Sequence, residues 1–392
     1  MAYLDHAATT PLLPEALAAV SEQLGRVGNA SSLHAAGRRA RLVVEESREQ
    51  VAAAFGARPS EVVFTGGGTE ADNLAAKGLY WARRAVEPRR TRVLASPVEH
   101  HAVLDALAWL ESHEGAVVEW LPVDGHGRVD AADVTAAIAA DPRSVAYVTV
   151  MWANNEVGTI QPVEEVAEAC RAFDVPFHSD AVQAAGQLPV SYERVGLDAM
   201  TVTGHKIGGP MGVGALLLSR TAQVTPLLHG GGQERDVRSG TLDLPAIAGF
   251  AAAARVVQET LPERARRLAE LRDDLVAAVQ AAVPDARLNG DPDPRGRLPG
   301  NAHFSFPGCE GDSLLLLLDA RGIQCSTGSA CSAGVAQPSH VLLAMGADVE
   351  TARASLRFTL GHTSTRDDVR ELAEVIGPVV ERARRARLAT RP

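Results

Sequence analysis

The stretch Thr201-Val202-Thr203-Gly204-His205-Lys206-Ile207-Gly208-Gly209-Pro210 sets the reading of the whole chain. Lys206 and Lys77 are the two lysines among 392 residues; the rest of the cationic charge is arginine. Arginine keeps its proton, whereas a desolvated lysine becomes a neutral nucleophile able to form an imine. Lys206 follows an apolar run over 199–202 that reads as a buried strand end, with histidine and hydroxyl side chains beside it and glycines after it. That is a seat for an aldehyde cofactor whose phosphate is held by nearby Thr and His. The plainer alternative is a surface lysine in a loop, which suits Lys77, at the end of the helical pattern 70–74.

Working outward, short apolar runs at 62–64, 92–95, 117–121, 145–151, 176–178, 199–202 and 214–218 alternate with helical stretches. This alternation predicts an α/β fold with a mainly parallel sheet covered on both faces. In such sheets ligands sit at the carboxyl ends of the strands. Upstream, residues 1–14 read as an extended arm, 15–24 as a helix, and a turn at 28–34 offers Ser31 or Ser32 as cap of a helix running to about Phe55. Downstream, 244–283 reads as a long helical stretch broken near Pro262, 289–299 as a loop, and 365–389 as an Arg-rich helix. The expected division is a large domain over 15–255 and a small one built from 1–14 and 256–392.

Composition narrows the function classes. Hydrophobic content of 46% and charged content of 22% are those of a soluble globular chain. A net charge of -10 without a basic run argues against nonspecific nucleic-acid binding. No signal-peptide pattern opens the chain and no apolar stretch is long enough for a bilayer, the longest being 314–318. Cys170, Cys309, Cys325 and Cys331 are dispersed without a CxxC pair, so the reading is a cytoplasmic protein with neither a disulfide framework nor a zinc site.

Four further segments fall at strand ends. Thr65-Gly66-Gly67-Gly68-Thr69-Glu70 places glycines between strand and helix, an anion site if not merely a tight turn with a Thr cap. Pro97-Val98-Glu99-His100-His101 offers a neutral imidazole to stack on a ring or move protons, or simply a helix cap. Met151-Trp152-Ala153-Asn154-Asn155-Glu156 offers amides for a carboxylate or ring hydroxyl, or an Asx turn. In Phe177-His178-Ser179-Asp180-Ala181-Val182-Gln183 a carboxylate in apolar surroundings calls for a cation, which a protonated pyridine nitrogen would supply; an N-cap is the rival.

Together these segments resemble the cysteine desulfurases of the NifS/IscS type, within the class V aminotransferase family of pyridoxal-phosphate enzymes. The likeness spans nearly the full length. It is carried by Leu4-Asp5-His6-Ala7-Ala8-Thr9-Thr10-Pro11, by the segments above, and by Gly230-Gly231-Gly232-Gln233-Glu234-Arg235-Asp236-Val237-Arg238-Ser239-Gly240-Thr241. Ser326-Thr327-Gly328-Ser329-Ala330-Cys331-Ser332 and Gln337-Pro338-Ser339-His340 complete it. The resemblance implies the fold-type I pyridoxal-phosphate transferase architecture, with a seven-stranded sheet and a smaller α+β domain. It implies pyridoxal phosphate joined to Lys206, Asp180 on its pyridine nitrogen, Gln183 on its ring hydroxyl and His100 over its face. Gly68, Thr69, Thr203 and His205 would hold its phosphate, with Thr241 of a partner subunit in a homodimer. Asn155 and Arg357 would hold the substrate carboxylate, for which Arg357 is also a natural bidentate fork.

By the same resemblance Cys331, in a loop of small residues, would take sulfur from L-cysteine as a persulfide and leave L-alanine. Cys170, Cys309 and Cys325 read as packed core. Gly67-Gly68 departs from the family's usual pair before Thr-Glu, and Ser-Ala follows Cys331 where Thr-Ser is commoner. The interval from Cys331 to Pro338-Ser339 matches the longer-loop subgroup, which implies delivery to a sulfur acceptor or iron–sulfur scaffold protein. No metal site is expected beyond a transient iron–sulfur ligand role for Cys331. A selenocysteine lyase or an aminotransferase would share Lys206, Asp180 and His100 without needing Cys331. A sulfur-relay protein would keep Cys331 without needing Lys206.

Overall fold

The computed structural model describes residues 1–328 and 337–390. Among these, the chain opens with β1 (Ala2–Tyr3), α1 (Pro14–Leu24) and α2 (Ala35–Ala54). An alternating region follows: β2 (Val62–Thr65), α3 (Gly68–Val86), β3 (Arg92–Ala95), α4 (His101–Glu114), β4 (Val117–Trp120), α5 (Ala131–Ala140), β5 (Val145–Thr149) and α6 (Val163–Ala172). It continues through β6 (Phe177–Asp180), α7 (Tyr192–Val195), β7 (Ala199–Thr203) and β8 (Gly214–Leu218) to the long α8 (Leu244–Ala282). The remainder is β9 (Arg287–Asn289), β10 (Asn301–Ser305), α9 (Gly311–Asp319), β11 (Ile323–Gln324), α10 (His340–Ala344), α11 (Val349–Arg353), β12 (Ser355–Thr359) and α12 (Arg366–Thr390).

The seven apolar runs become one seven-stranded sheet in the order β2-β8-β7-β6-β5-β3-β4. Strands β7, β6, β5, β3 and β4 are parallel, and β8 runs antiparallel between β7 and β2. Apart from the edge strand β4, which is exposed or half-buried, the runs lack polar alternation because both faces are covered. Val63, Ala146, Tyr147, Ala199, Leu216 and Leu218 pack against α3 and α4. Their neighbours Val62, Phe64, Val148, Met200, Val202 and Leu217 join the opposite core with α2, α5, α6 and the first half of α8. Period-two alternation thus separates two apolar faces rather than core from solvent. The α/β architecture expected from the sequence, a mainly parallel sheet flanked by helices, is what the chain adopts.

A second core lies beside the first. Strand β10 pairs antiparallel with β9 and β12, while β1 pairs in parallel with β11. Their side chains, with Leu4, Leu275, Phe304, Phe358, Leu314 and Ile376, bury one another between α9, α12 and the second half of α8. Helix α8 serves both cores, through Ile247 to Val257 on one side and Leu268 to Val279 on the other.

Two local expectations are corrected. The break near Pro262 does not occur: α8 passes through it as one helix. Pro262 is exposed, so its ring projects to solvent and the carbonyl it leaves unbonded can be hydrated. Nor does Ser31 or Ser32 cap α2; the helix starts later, and the His34 ring accepts from the Gly37 amide at 3.3 Å. Asn29 closes the preceding turn on Ser31, which leaves both serines upstream of the helix.

Candidate active site

A cavity of about 400 Å³ opens at the carboxyl ends of the parallel strands. Gly68, Thr69, His100, Asn155, Asp180, Gln183, Thr203, His205, Lys206 and Arg357 all border it. The main sheet supplies most of these from loops that follow β2, β3, β5, β6 and β7. Arg357 comes from β12 of the small sheet, and Ala7 and Ala8 from the N-terminal arm. The site therefore forms where the arm and both sheets meet.

Lys206 follows β7 directly. Its Nζ donates to the carbonyls of Ala7 and Ala8, the latter at 2.8 Å. Desolvation, aided by the charge of Arg357 and opposed by Asp5 and Asp180, lowers its pKa to about 8. Asp180 ends β6, is 5% exposed and accepts the Val182 amide at 2.8 Å. Burial raises its pKa to about 6, against the pull of the Val182 amide and Lys206. The carboxylate thus lies where a cation would be welcome.

His100 is a helix cap and also borders the cavity. Its Nδ1 accepts from the Ala102 amide at 3.1 Å and so caps α4, while the ring borders the cavity. Although the ring is open to the cavity, the protein around it and then the charge of Lys206 hold its pKa down to about 4. With Nδ1 an acceptor, the neutral ring carries its proton on Nε2. His205 is likewise lowered to about 4, by desolvation and by Lys206, and its Nδ1 lies 3.3 Å from the Thr9 hydroxyl.

The anion end is at α3. Gly67 has φ 141°, a conformation that a side chain disfavours, and leaves the first amides of a 19-residue helix without a side-chain cap. A Cβ at Gly68 would press on Val182 at 3.3 Å and approach Thr203 at 3.7 Å. Glu70 holds the loop by accepting from Gly66 at 2.8 Å and from Arg238 at 2.7 Å. The Thr203 hydroxyl is engaged with the Val213 carbonyl at 3.1 Å. In the asparagine pair, Asn154 makes the Asx turn through Glu156 and Val157, while Asn155 reaches the cavity. Gln183 Nε2 donates to the Ala7 carbonyl at 2.9 Å.

One expected site residue, Thr241, is exposed and is not among the described residues that border the cavity. Cys331 lies outside the described residues; Gly328, three positions before it, borders the cavity. The other cysteines are buried thiols, with Cys325 pushed up to about 12 by burial. Among the described residues no His/Cys/Asp/Glu group is placed to hold a metal ion, and no helix is long and apolar enough to cross a membrane.

The structure also gives contacts to residues to which the sequence assigned no role. Asp72, one turn into α3, borders the cavity with its buried Oδ1 unbonded. Burial and then the charge of Asp180 hold its pKa well above the usual carboxylate range. A signal existed: Asp72 shares the stripe of Ala75, Ala76 and Leu79, where an apolar residue belongs. Glu99 is also buried and shifted upward by desolvation. Ser339 donates to Glu156 at 2.5 Å, and a His340 ring nitrogen lies 2.9 Å from the Glu99 carbonyl. Asp5, paired with Arg357 at 2.9 Å, left no local signal.

Known proteins match this arrangement over nearly its whole length. The aminotransferase class-V family model matches residues 2–372. An IscS-like cysteine desulfurase of Mycobacterium tuberculosis is 59% identical over 99% of this chain and 98% of its own. A solved NifS-like protein superposes with a TM-score of 0.88 at 34% identity, over 97% of this chain and all 100% of that one. A structure described as SspA in complex with cysteine has a TM-score of 0.78 at 32% identity, covering 93% and 100%. On this evidence the chain belongs to the class-V aminotransferase family, in its IscS/NifS-like cysteine desulfurase branch.

Proposed function

We propose that this enzyme is a pyridoxal-phosphate-dependent cysteine desulfurase that converts L-cysteine to L-alanine and passes the sulfur to Cys331 as a persulfide. The observation that carries the reading is the meeting of Lys206, Asp180 and His100 with Arg357 across one cavity. The donor set fits pyridoxal phosphate. A capless helix end beside Gly68 suits the phosphate, Asp180 suits a pyridinium, and Lys206 is an amine with a depressed pKa. When bound, the cofactor supplies an aldehyde that joins amines and a ring that accepts electrons.

The chain's own residues do the rest. Lys206 Nζ would hold the aldehyde and, when free, could move a proton at the substrate Cα. Asp180 would hold the ring nitrogen protonated. His100, a neutral imidazole, would cover the ring and offer Nε2 for proton transfer. Arg357 and Asn155 orient the substrate carboxylate. Gly328, three residues before Cys331 in sequence, borders the cavity, which supports assigning Cys331 to this site. Its thiolate attacks the substrate sulfur: an S–S bond forms at Cys331, the C–S bond breaks with its electron pair going to Cβ, and Cβ takes a proton to complete alanine. A thiol reductant then releases the sulfur as sulfide.

Thr241 is exposed and is not among the described residues that border this cavity, which supports a role in the site of a second copy, and hence a homodimer. The loop length after Cys331 supports delivery to an iron–sulfur scaffold or another sulfur acceptor in the cytoplasm. The decisive test measures alanine and sulfide from L-cysteine with a thiol reductant, for wild type and Cys331→Ala. Wild type is expected to make the two products one to one. The variant is expected to make neither while retaining its cofactor absorbance. Full activity in Cys331→Ala would remove Cys331 as sulfur carrier and favour a lyase or transaminase reading.

A further inference from the structure

The cation that faces the cavity already has a carboxylate partner. Arg357 is 5% exposed; its Nη2 donates to Asp5 Oδ1 at 2.9 Å and its Nη1 to the Asn155 carbonyl at 2.9 Å. The buried Nε has no acceptor among the described residues. A guanidinium has five N–H donors in a fixed plane, and carboxylates prefer to meet two of them together. Arg357 borders the cavity, so its guanidinium is the group an arriving carboxylate would meet there.

Asp5 itself does not border the cavity. The arm fixes it from behind: its carbonyl accepts from Ala8 at 3.0 Å and from the Tyr3 hydroxyl at 3.2 Å, and Ala7 bonds to the Thr359 hydroxyl at 2.8 Å. Two consequences follow from a carboxylate held there. It offsets the cost of burying the guanidinium, and it fixes the plane of the fork. It also cancels part of the charge that would attract a second carboxylate. Substrate and product are both α-amino acids with the same carboxylate. Holding both more tightly would not speed turnover, because binding that is equal in all states does not lower the barrier.

We propose that Asp5 is a positioning residue for the α-amino acid carboxylate: it aims Arg357 and competes with the ligand for it, setting the affinity for substrate and product together. The proposal takes the ligand's identity from the desulfurase reading, and its test separates the two.

Asp5→Asn keeps an acceptor oxygen and removes the charge, whereas Asp5→Glu keeps the charge. In the holoenzyme, KM for L-cysteine and the calorimetric Kd of L-alanine are both expected to fall about five-fold in Asp5→Asn, the effect of losing a partly screened ion pair, with kcat not rising. Asp5→Glu is expected to show no tightening. Asp5→Ser, a shorter neutral acceptor, carries the same expectation as Asp5→Asn should that variant fail to fold. Constants that rise, or stay within about two-fold of wild type, in the neutral variants would overturn the proposal, as would equal tightening in Asp5→Glu. A wild type that makes no alanine from cysteine would instead sink the desulfurase reading, while the L-alanine constants would still decide the role of Asp5.

Discussion

At the scale of the residue, the chemistry turns on one amine. With its pKa lowered to about 8, Lys206 is neutral in about one molecule in ten at pH 7, against about one in three thousand for an ordinary lysine. The deprotonated form grows as pH rises, so attachment of the aldehyde cofactor to cofactor-free protein should quicken about tenfold from pH 6 to 7 and level off above about pH 8. Stopped-flow absorbance on cofactor addition reads this directly; a rate still climbing tenfold per unit beyond pH 9 would show that Lys206 titrates normally. The same residue shows why much of the site was legible. Lys206, Asp180 and His100 each sit at the end of an apolar run, and a parallel sheet gathers such ends on one edge. Asp72 was legible in principle, as an acid on an apolar stripe. Asp5 was not: what gives it meaning is Arg357, 352 positions away in sequence.

At the scale of the element, the turn at 233–236 (within the motif that ends at Thr241) is the least relaxed part of the backbone described. Glu234, Arg235 and Asp236 have φ of 48°, 59° and 63°, a left-handed run without a glycine. Such residues cost of order 1–3 kcal/mol each unless their surroundings hold them. What holds them is Glu234, 6% exposed, which accepts from Arg48 at 2.7 and 2.8 Å and from the Phe64 amide at 2.7 Å. Glu234→Ala removes the bidentate partner of the buried Arg48, which keeps Glu45 at 3.2 Å and the Val62 carbonyl at 2.9 Å, and should lower the unfolding free energy by about 2–3 kcal/mol, measured by urea titration. A loss under about 1 kcal/mol would mean that the turn holds itself. Periodicity does not reveal such a turn, because the strain is set by a tertiary ion pair. Seven strands, by contrast, could be read from apolar runs alone, since the composition of all but the edge strand β4 answers to burial on both faces. The cap of α2 was misread because serine is the commoner cap, and the helix began late enough for His34 to serve.

At the scale of the molecule, α8 joins the two apolar cores as one 39-residue helix with a proline inside it. A proline in a helix interior is about 3 kcal/mol worse than alanine, and it recovers up to about 1 kcal/mol by restricting the unfolded chain. The first figure is larger, so Pro262→Ala should stabilise the protein by about 2 kcal/mol, seen as a higher urea midpoint. A lower midpoint would mean that Pro262 sets an α8 geometry the two cores require. The sequence reading broke the helix there because it weighed the local cost without the packing on either side, where Val257 and Leu268 belong to different buried clusters. Where a parallel sheet builds a site, local pattern is a good guide; where two cores share one helix, it is not.

The N-terminal arm has a consequence for synthesis. Its first strand pairs with β11, and Leu4 bonds to Gln324 and Thr359. The carbonyls of Ala7 and Ala8, which hold Lys206, depend on those contacts for their place. A nascent chain on the ribosome can assemble the main sheet, Lys206 included, well before residues 323–359 have left the exit tunnel. Until then residues 2–7 lack their bonds to 322–324 and Thr359, although Ala7, Thr10 and Leu13 can already meet the main sheet. Completion of the cavity wall therefore waits on residues 323–359, and a chain terminated before them would carry the reactive lysine without Arg357 and the arm's partners.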